Sequence, residues 1–241
     1  MPETFVLVHG GSVGAWSWAA VVRQLEKLGD RVFAVDLPGR GENRPDPGQI
    51  TLSTHVDFVT RYIEERDLNE VVLAAHSMGG LVITGVAQKI PRRIKRLIFI
   101  SAFVMRDGEN PMHLLRPVQG AEAGSQPAVA KPQSRADFMR TRSFQDASRD
   151  LQDFVIASLV REQLKVMDEP VPMKEFYRLD LPTSVIVLED DLAIDPLRFH
   201  PLFTRRLRNP TIRSIKSGHG VMFTKPAECA RALHDLALGV P

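Results

Sequence analysis

Read for its hydrophobic and polar positions, the chain alternates two kinds of segment. "TFVLVHG" is a short apolar run ending at a glycine turn, "AWSWAAVVRQLEKLG" carries apolar residues at helical spacing and closes at Gly29, and "DRVFAVDLPG" is a second apolar run with its own turn. The spacing predicts strand, helix, strand. It continues with a helical "LSTHVDFVTRYIEER", the run "EVVLAA", a helix from about Gly79 to Lys89 stopped by Pro91, and the run "KRLIFISA". After a long interruption come "TSVIVLED", a helix near "PLRFHPLFTRRL", the run "TIRSIKS" and a last helix, "PAECARALHDLAL". Continuous apolar strands separated by helices predict an α/β fold: a mostly parallel six-stranded sheet with helices on both faces. No internal repeat is visible.

The interruption covers residues 104 to 180. It opens with "RPVQGAEAGSQPAVAKPQSR", rich in Pro, Gly, Ala and Gln, and passes into "RADFMRTRSFQDASRDLQDFVIASLVREQLKVM", which has helical spacing and a supply of Phe, Met and Leu. This reads as a helical insertion. Ligands of open parallel sheets bind outside the carboxyl ends of the strands, so an insertion leaving a strand there is expected to roof the site as a cap or lid.

Composition narrows the picture. The 241 residues are enough for one well-buried core and short for two ordinary domains, so a single domain over 1–241 is expected. A formal charge of +2 gives no reason to expect nucleic acid or membrane as a partner. The basic clusters Arg92, Arg93, Lys95, Arg96 and Arg205, Arg206, Arg208 read as solvated faces. The lone Cys229 cannot form an internal disulfide, no leader precedes the first strand, and no apolar run nears the roughly 20 residues a bilayer requires. The expectation is a soluble, cytoplasmic protein.

Chemistry concentrates at strand ends. Ser77 follows "EVVLAA" directly and precedes a helix, which places it on a sharp turn at the carboxyl edge of the sheet. Such a turn demands small residues two before and two after, here Ala75 and Gly79. The helix behind it directs free N–H groups, beginning with that of Met78, at negative charge developing on a substrate carbonyl. A serine nucleophile needs a base. His55, His113, His200 and His234 fall in helical or capping segments and read as packing or surface residues, whereas His219 lies in "KSGHGVMFTKP", between two glycines after the last strand. The glycines are expected to let its imidazole enter a crowded site. The orienting acid is expected from "SVIVLEDDLAIDP": Glu189 and Asp190 lie too close to the strand and Asp195 too far along the loop, which favours Asp191. The chain order is then Ser77, Asp191, His219.

With these segments in hand the chain resembles an α/β-hydrolase over nearly its whole length, and is similar to the small six-stranded group of methylesterases and hydroxynitrile lyases. The resemblance rests on "FVLVHGGSVGAWSW", "AVDLPGRGEN", "AAHSMGG" and "SGHGVMFTKP". It implies a second oxyanion donor, the N–H of Gly11, opposite that of Met78, with His9 holding the loop. In the lyase branch a threonine follows the first-loop histidine, a glutamate often precedes the serine and a lysine follows the catalytic histidine. Here those positions hold Gly10, His76 and Gly220, which favours an esterase. His76, adjacent to Ser77 on a tight turn, is expected to point away from it.

The expected activity is hydrolysis of a small-molecule carboxylic ester, a methyl ester or small apolar ester, through an acyl-enzyme, with no metal or cofactor. Phe103, Met105, Met112, Leu115, Phe138, Met139, Phe144, Phe154 and Met167 are candidate pocket residues, Trp16 a candidate for its rim, and Cys229 an inert thiol. A lyase or carbon-carbon hydrolase using the same residues, a non-catalytic small-molecule receptor and a cofactor-free oxygenase stay open, as does a homodimer.

Overall fold

The computed structural model describes residues 2–42, 47–115, 132–160 and 165–240. Its strands are β1 (Thr4–Val8), β2 (Arg31–Val35), β3 (Val71–His76), β4 (Ile94–Ile100), β5 (Thr183–Leu188) and β6 (Thr211–Ile215). They form one six-stranded sheet in the order β2-β1-β3-β4-β5-β6, with every neighbouring pair parallel. Side chains alternate along each strand. Val6, Val8, Leu73, Ala75, Leu97 and Phe99 enter one core, while Phe5, Leu7, Val72, Ala74, Ile98 and Ile100 enter the other. Burial on both faces is why the inner strands β1, β3, β4 and β5 read as largely apolar runs, whereas the edge strands β2 and β6 are partly exposed.

The helices are α1 (Ala19–Lys27), α2 (Leu52–Glu65), α3 (Gly79–Lys89), α4 (Pro111–Leu115), α5 (Arg135–Phe138), α6 (Arg149–Ala157), α7 (Lys165–Asp168), α8 (Pro196–Thr204), α9 (Val221–Thr224) and α10 (Pro226–Ala237). One face is covered by α1, α9 and α10 through Val21, Leu25, Val221, Cys229 and Leu233; the other by α2, α3 and α8 through Val59, Ile63, Leu81, Val86, Phe199 and Phe203. Thr51 and Thr54 form a reciprocal capping box that starts α2. No helix among the described residues is long and apolar enough to cross a membrane.

Three local expectations are corrected. The first helix does not begin at Ala15: Ala15–Trp18 is a tighter 3-10 turn, because the Ser17 amide and hydroxyl both donate to the Gly14 carbonyl, at 3.0 and 2.7 Å. The long helical pattern of the insertion is broken into α5, a π-type turn over Met139–Ser143, α6 and α7, with Ser134 and Ser148 accepting from the first turns of α5 and α6. The Pro-, Gly- and Ala-rich stretch 116–131 lies outside the described residues. Arg206, read as part of a solvated face, has a buried side chain and donates to the Val104 carbonyl at 2.6 Å and to Glu109 at 2.8 Å. It ties the end of α8 to the chain leaving β4.

The contact between α2 and α3 depends on Gly85. A Cβ there would stand 2.4 Å from Val56 Cγ2, so the helices approach only because this side chain is absent. Alanine gains about 1 kcal/mol in helix propensity, and overpacking costs about 1–3 kcal/mol. Gly85→Ala is therefore expected to lower the stability measured by urea unfolding, and the same change in a Val56→Ala background to be neutral or stabilising.

Candidate active site

The turn between β3 and α3 holds Ser77 at φ +53°, a left-handed conformation costing a non-glycine residue about 1–2 kcal/mol. Hydrogen bonds on both sides keep it there. The Ser77 amide donates to the Ile100 carbonyl at 3.2 Å, and the Ser77 carbonyl accepts from the Gly80 and Phe103 amides at 3.1 Å each. A Cβ on Gly79 would meet the His9 and Val8 carbonyls at 2.8 and 3.0 Å and the Ala75 Cβ at 3.2 Å, so the small residues at 75 and 79 make room for the end of β1.

The loop after β1 lies directly on this turn. A Cβ on Gly10 would stand 2.9 Å from His76 Nδ1 and 3.0 Å from Ser77 Cβ. His9 pins the loop: its Nδ1–H donates to the Gly10 carbonyl at 2.8 Å and its Nε2 accepts from the Leu37 amide at 3.2 Å. Burial pushes its pKa down to about 3, so the ring is neutral.

Asp191 is completely buried, and four donors surround its carboxylate. Oδ2 accepts from His219 Nδ1 at 2.7 Å and from the Ser101 hydroxyl at 2.5 Å, while Oδ1 accepts from the Ala193 and Ile194 amides at 2.8 Å each. Burial alone would raise its pKa. The attraction and hydrogen bond of His219, with those from Ile194 and Ser101, outweigh burial and hold the carboxyl below its ordinary range. Glu189 and Asp190 are exposed, and Asp195 accepts from the Leu197 amide at the start of α8. With Nδ1 donating, His219 keeps Nε2 as an acceptor.

The glycines beside His219 make room for a neighbouring segment. A Cβ on Gly218 would stand 2.6 Å from Asp146 Oδ1, and one on Gly220 would stand 2.4 Å from Phe144 Cδ1. They admit the 143–146 segment, which grips the loop: Gly218 N–H donates to Asp146 Oδ2 at 2.9 Å and Gly220 N–H to the Ser143 carbonyl at 3.0 Å. Gln145 Nε2 donates to the Asp190 carbonyl at 2.6 Å, which breaks the helical pattern between α5 and α6.

His76 does not point away from this cluster. Its ring lies against that of His219, with centroids 4.3 Å apart, and its Nε2–H donates to the His219 carbonyl at 2.9 Å. Burial, then repulsion from His219, places its pKa well below the ordinary value. His200 on α8, expected only to pack, is buried within electrostatic reach of Asp191 and His219. Of the remaining histidines, His55 is buried against the Pro38 carbonyl, His234 pairs with Asp30 and His113 is exposed. Sequence reasoning missed Ser101, whose only signal is its place immediately after the fourth apolar run.

Ser77, His219, Gly11 and Met78 line one cavity of about 230 Å³. Its other walls include Phe103, Phe138, Met139, Phe144, Leu159, Met167, Met222 and Phe223, and among the described residues no Asp, Glu, Lys or Arg lines it. Met105 and Met112 instead pack into the core, Phe154 is 60% exposed, and the Leu115 side chain lies outside the described residues. Trp16, a candidate for the rim, does not line the cavity; it packs against Phe154 and against the lining residue Phe223. Among the described residues no three His, Cys, Asp or Glu side chains are grouped to hold a metal ion. Burial pushes the Cys229 thiol up to about 12.

A model of the alpha/beta hydrolase family matches residues 5–232. The chain is 39% identical over 123 residues, 51% of this chain and 51% of that protein, to a carbendazim hydrolyzing esterase of Nocardioides sp. (strain SG-4G). It is 29% identical over 254 aligned residues, 98% of this chain and 96% of that protein, to methylesterase 7 of Arabidopsis thaliana. A solved extracellular α/β-hydrolase from a Paenibacillus species, described as sharing structural and functional homology with tobacco salicylic acid binding protein 2, matches with a TM-score of 0.83 at 29% identity, over 98% of this chain and 99% of that one. The chain spans about half the length of several curated relatives it matches.

The buried histidines set a pH dependence of folding. His9, at about 3, and His55, at about 4, stay neutral when folded but titrate near 6.5 when unfolded, and His76 is shifted the same way. Below pH 6.5 the unfolded chain binds more protons, so stability is lost as pH falls toward these folded values. Urea midpoints are expected to fall steadily from pH 7 to pH 4.5, with a shallower slope for His55→Gln; a flat profile would contradict the burial of neutral rings.

Proposed function

The chain belongs to the alpha/beta hydrolase family, and from that membership we propose that it hydrolyses carboxylic esters, with Ser77 as nucleophile, His219 as base and Asp191 as the orienting acid. One observation carries this reading. Ser77 on its left-handed turn and His219, bonded to the buried Asp191, face the same apolar cavity of about 230 Å³.

His219 Nε2 takes the Ser77 proton as the oxygen attacks the ester carbonyl, and the N–H groups of Gly11 and Met78 receive the negative charge that forms on the carbonyl oxygen. Collapse of the tetrahedral species breaks the bond to the alkoxy oxygen, which leaves with the proton from His219. A water then gives its proton to the same nitrogen, attacks the acyl-enzyme and releases the acid, restoring Ser77. Asp191 stabilises the imidazolium in both halves of the cycle.

The substrate class follows from the walls. The described walls are mostly apolar and carry no Asp, Glu, Lys or Arg, which favours an uncharged ester with a small apolar acyl or alcohol part. On this reading the 104–180 insertion acts as a cap within a single domain, which is supported by Phe138, Met139, Phe144, Leu159 and Met167 lining the cavity that Ser77 faces and by the Val160 amide donating to the Ser12 carbonyl at 2.9 Å. Hydrolysis is favoured over lyase chemistry because Phe144 fills the space where a side chain at Gly220 would go, and Gly10 has no room for a side chain beside His76.

A panel of p-nitrophenyl and methyl esters is expected to be hydrolysed by the wild type and not by Ser77→Ala; equal rates in both would contradict the mechanism. Asp191→Asn is expected to lower kcat by roughly 10,000-fold, as loss of the correct histidine tautomer does elsewhere. Asp190→Asn and Asp195→Asn are expected to stay within about 3-fold of wild type, since the first is exposed and asparagine still accepts at the start of α8.

A further inference from the structure

Ser101 sits just past β4 at φ +40°, with its amide donating to the Ile186 carbonyl of β5 at 3.0 Å. A glycine would adopt this conformation without steric cost, whereas serine pays about 1–2 kcal/mol. The residue is 1% exposed and its hydroxyl has one hydrogen bond, at 2.5 Å, to the same Asp191 oxygen that binds His219.

We propose that Ser101 is a positioning residue that sets the basicity of His219 by sharing Asp191 Oδ2. The inference rests on the roles assigned above to His219 and Asp191. A carboxylate oxygen has a limited charge to distribute among its donors, and a hydroxyl donating at 2.5 Å competes directly with the imidazole. The competition runs through one atom, because Oδ1 is occupied by the Ala193 and Ile194 amides and the carboxylate is locked in orientation. Removing the hydroxyl leaves more negative charge facing Nδ1–H, which favours the imidazolium. His219 then holds its proton to higher pH, and less of the free base is present to activate Ser77.

The neighbouring titratable groups leave this effect readable. His76 at the end of β3 and His200 on α8 face the pair, and burial disfavours the charged form of both. The strained backbone separates the hydroxyl's role from a structural one. Glycine relieves the left-handed strain but removes a donor from a buried charge, so the two effects on stability oppose, and the ring titration and pH profile read the hydroxyl's role instead.

The test is to follow protonation of the His219 ring by NMR on histidine-labelled protein, in wild type, Ser101→Gly and Ser101→Cys, together with the pH profile of kcat/KM on a p-nitrophenyl ester. Cysteine keeps the side chain's size with a much weaker donor, so it serves if the glycine variant does not fold. The expected result is that His219 titrates at higher pH in both variants, that the acid limb of kcat/KM moves up with it, and that activity near pH 6 falls by about 10-fold, the scale of one charge-assisted hydrogen bond. A titration and an acid limb unchanged or moved to lower pH would overturn the proposal. The NMR titration needs no turnover. If the wild type hydrolysed no ester, the proposed function would fail while the ring titration still decided whether Ser101 tunes His219.

Discussion

The buried carboxylate of Asp191 is the constraint around which this edge of the molecule is arranged. A charge removed from water is tolerated only when its lone pairs are filled, and Asp191 fills them with two backbone amides, a hydroxyl and an imidazole. Those donors come from its own loop, from the end of β4 and from the loop after β6. Satisfying one charge therefore fixes three strand ends relative to one another. It also fixes the tautomer of His219, because the nitrogen facing the carboxylate must carry the proton.

The remaining geometry comes from close approach. Gly10 lets the first loop rest on His76 and Ser77, Gly79 lets α3 sit against the end of β1, and Gly218 and Gly220 let the 143–146 segment close on the His219 loop. Each contact is possible only because a Cβ is missing. The Ser77 turn is held by the first loop, by the start of α3 and by the chain around the end of β4, in a conformation that serine would not hold in isolation. Apolar side chains of the insertion line the cavity that Ser77 and His219 share, and among the described residues no Asp, Glu, Lys or Arg lines it.

Much of this was legible in the chain because the informative residues follow apolar runs directly. The order of strands and helices, the meeting of Ser77, Asp191 and His219 at one sheet edge, and the small residues around the turn all derive from period and position. What escaped were contacts between residues distant in sequence. Ser101 has no local motif, and its bond to Asp191 spans 90 positions. The glycines flanking His219 were visible, but their reason lies in Phe144 and Asp146, whose approach no periodicity reveals. His76 was read as pointing away because adjacent residues on a turn diverge; it reaches instead to the backbone of His219. The insertion's helical period was real, yet Gln145 and Asp146 broke it by bonding across to other loops.

Covalent capture shows whether Ser77 is a nucleophile activated by His219. The protein is treated with a fluorophosphonate, digested, and its peptides are mapped by mass spectrometry. A single phosphonyl adduct is expected on Ser77, formed slowly or not at all when His219 is replaced by alanine. An unmodified Ser77 in the wild type, or labelling at the same rate without His219, would contradict it.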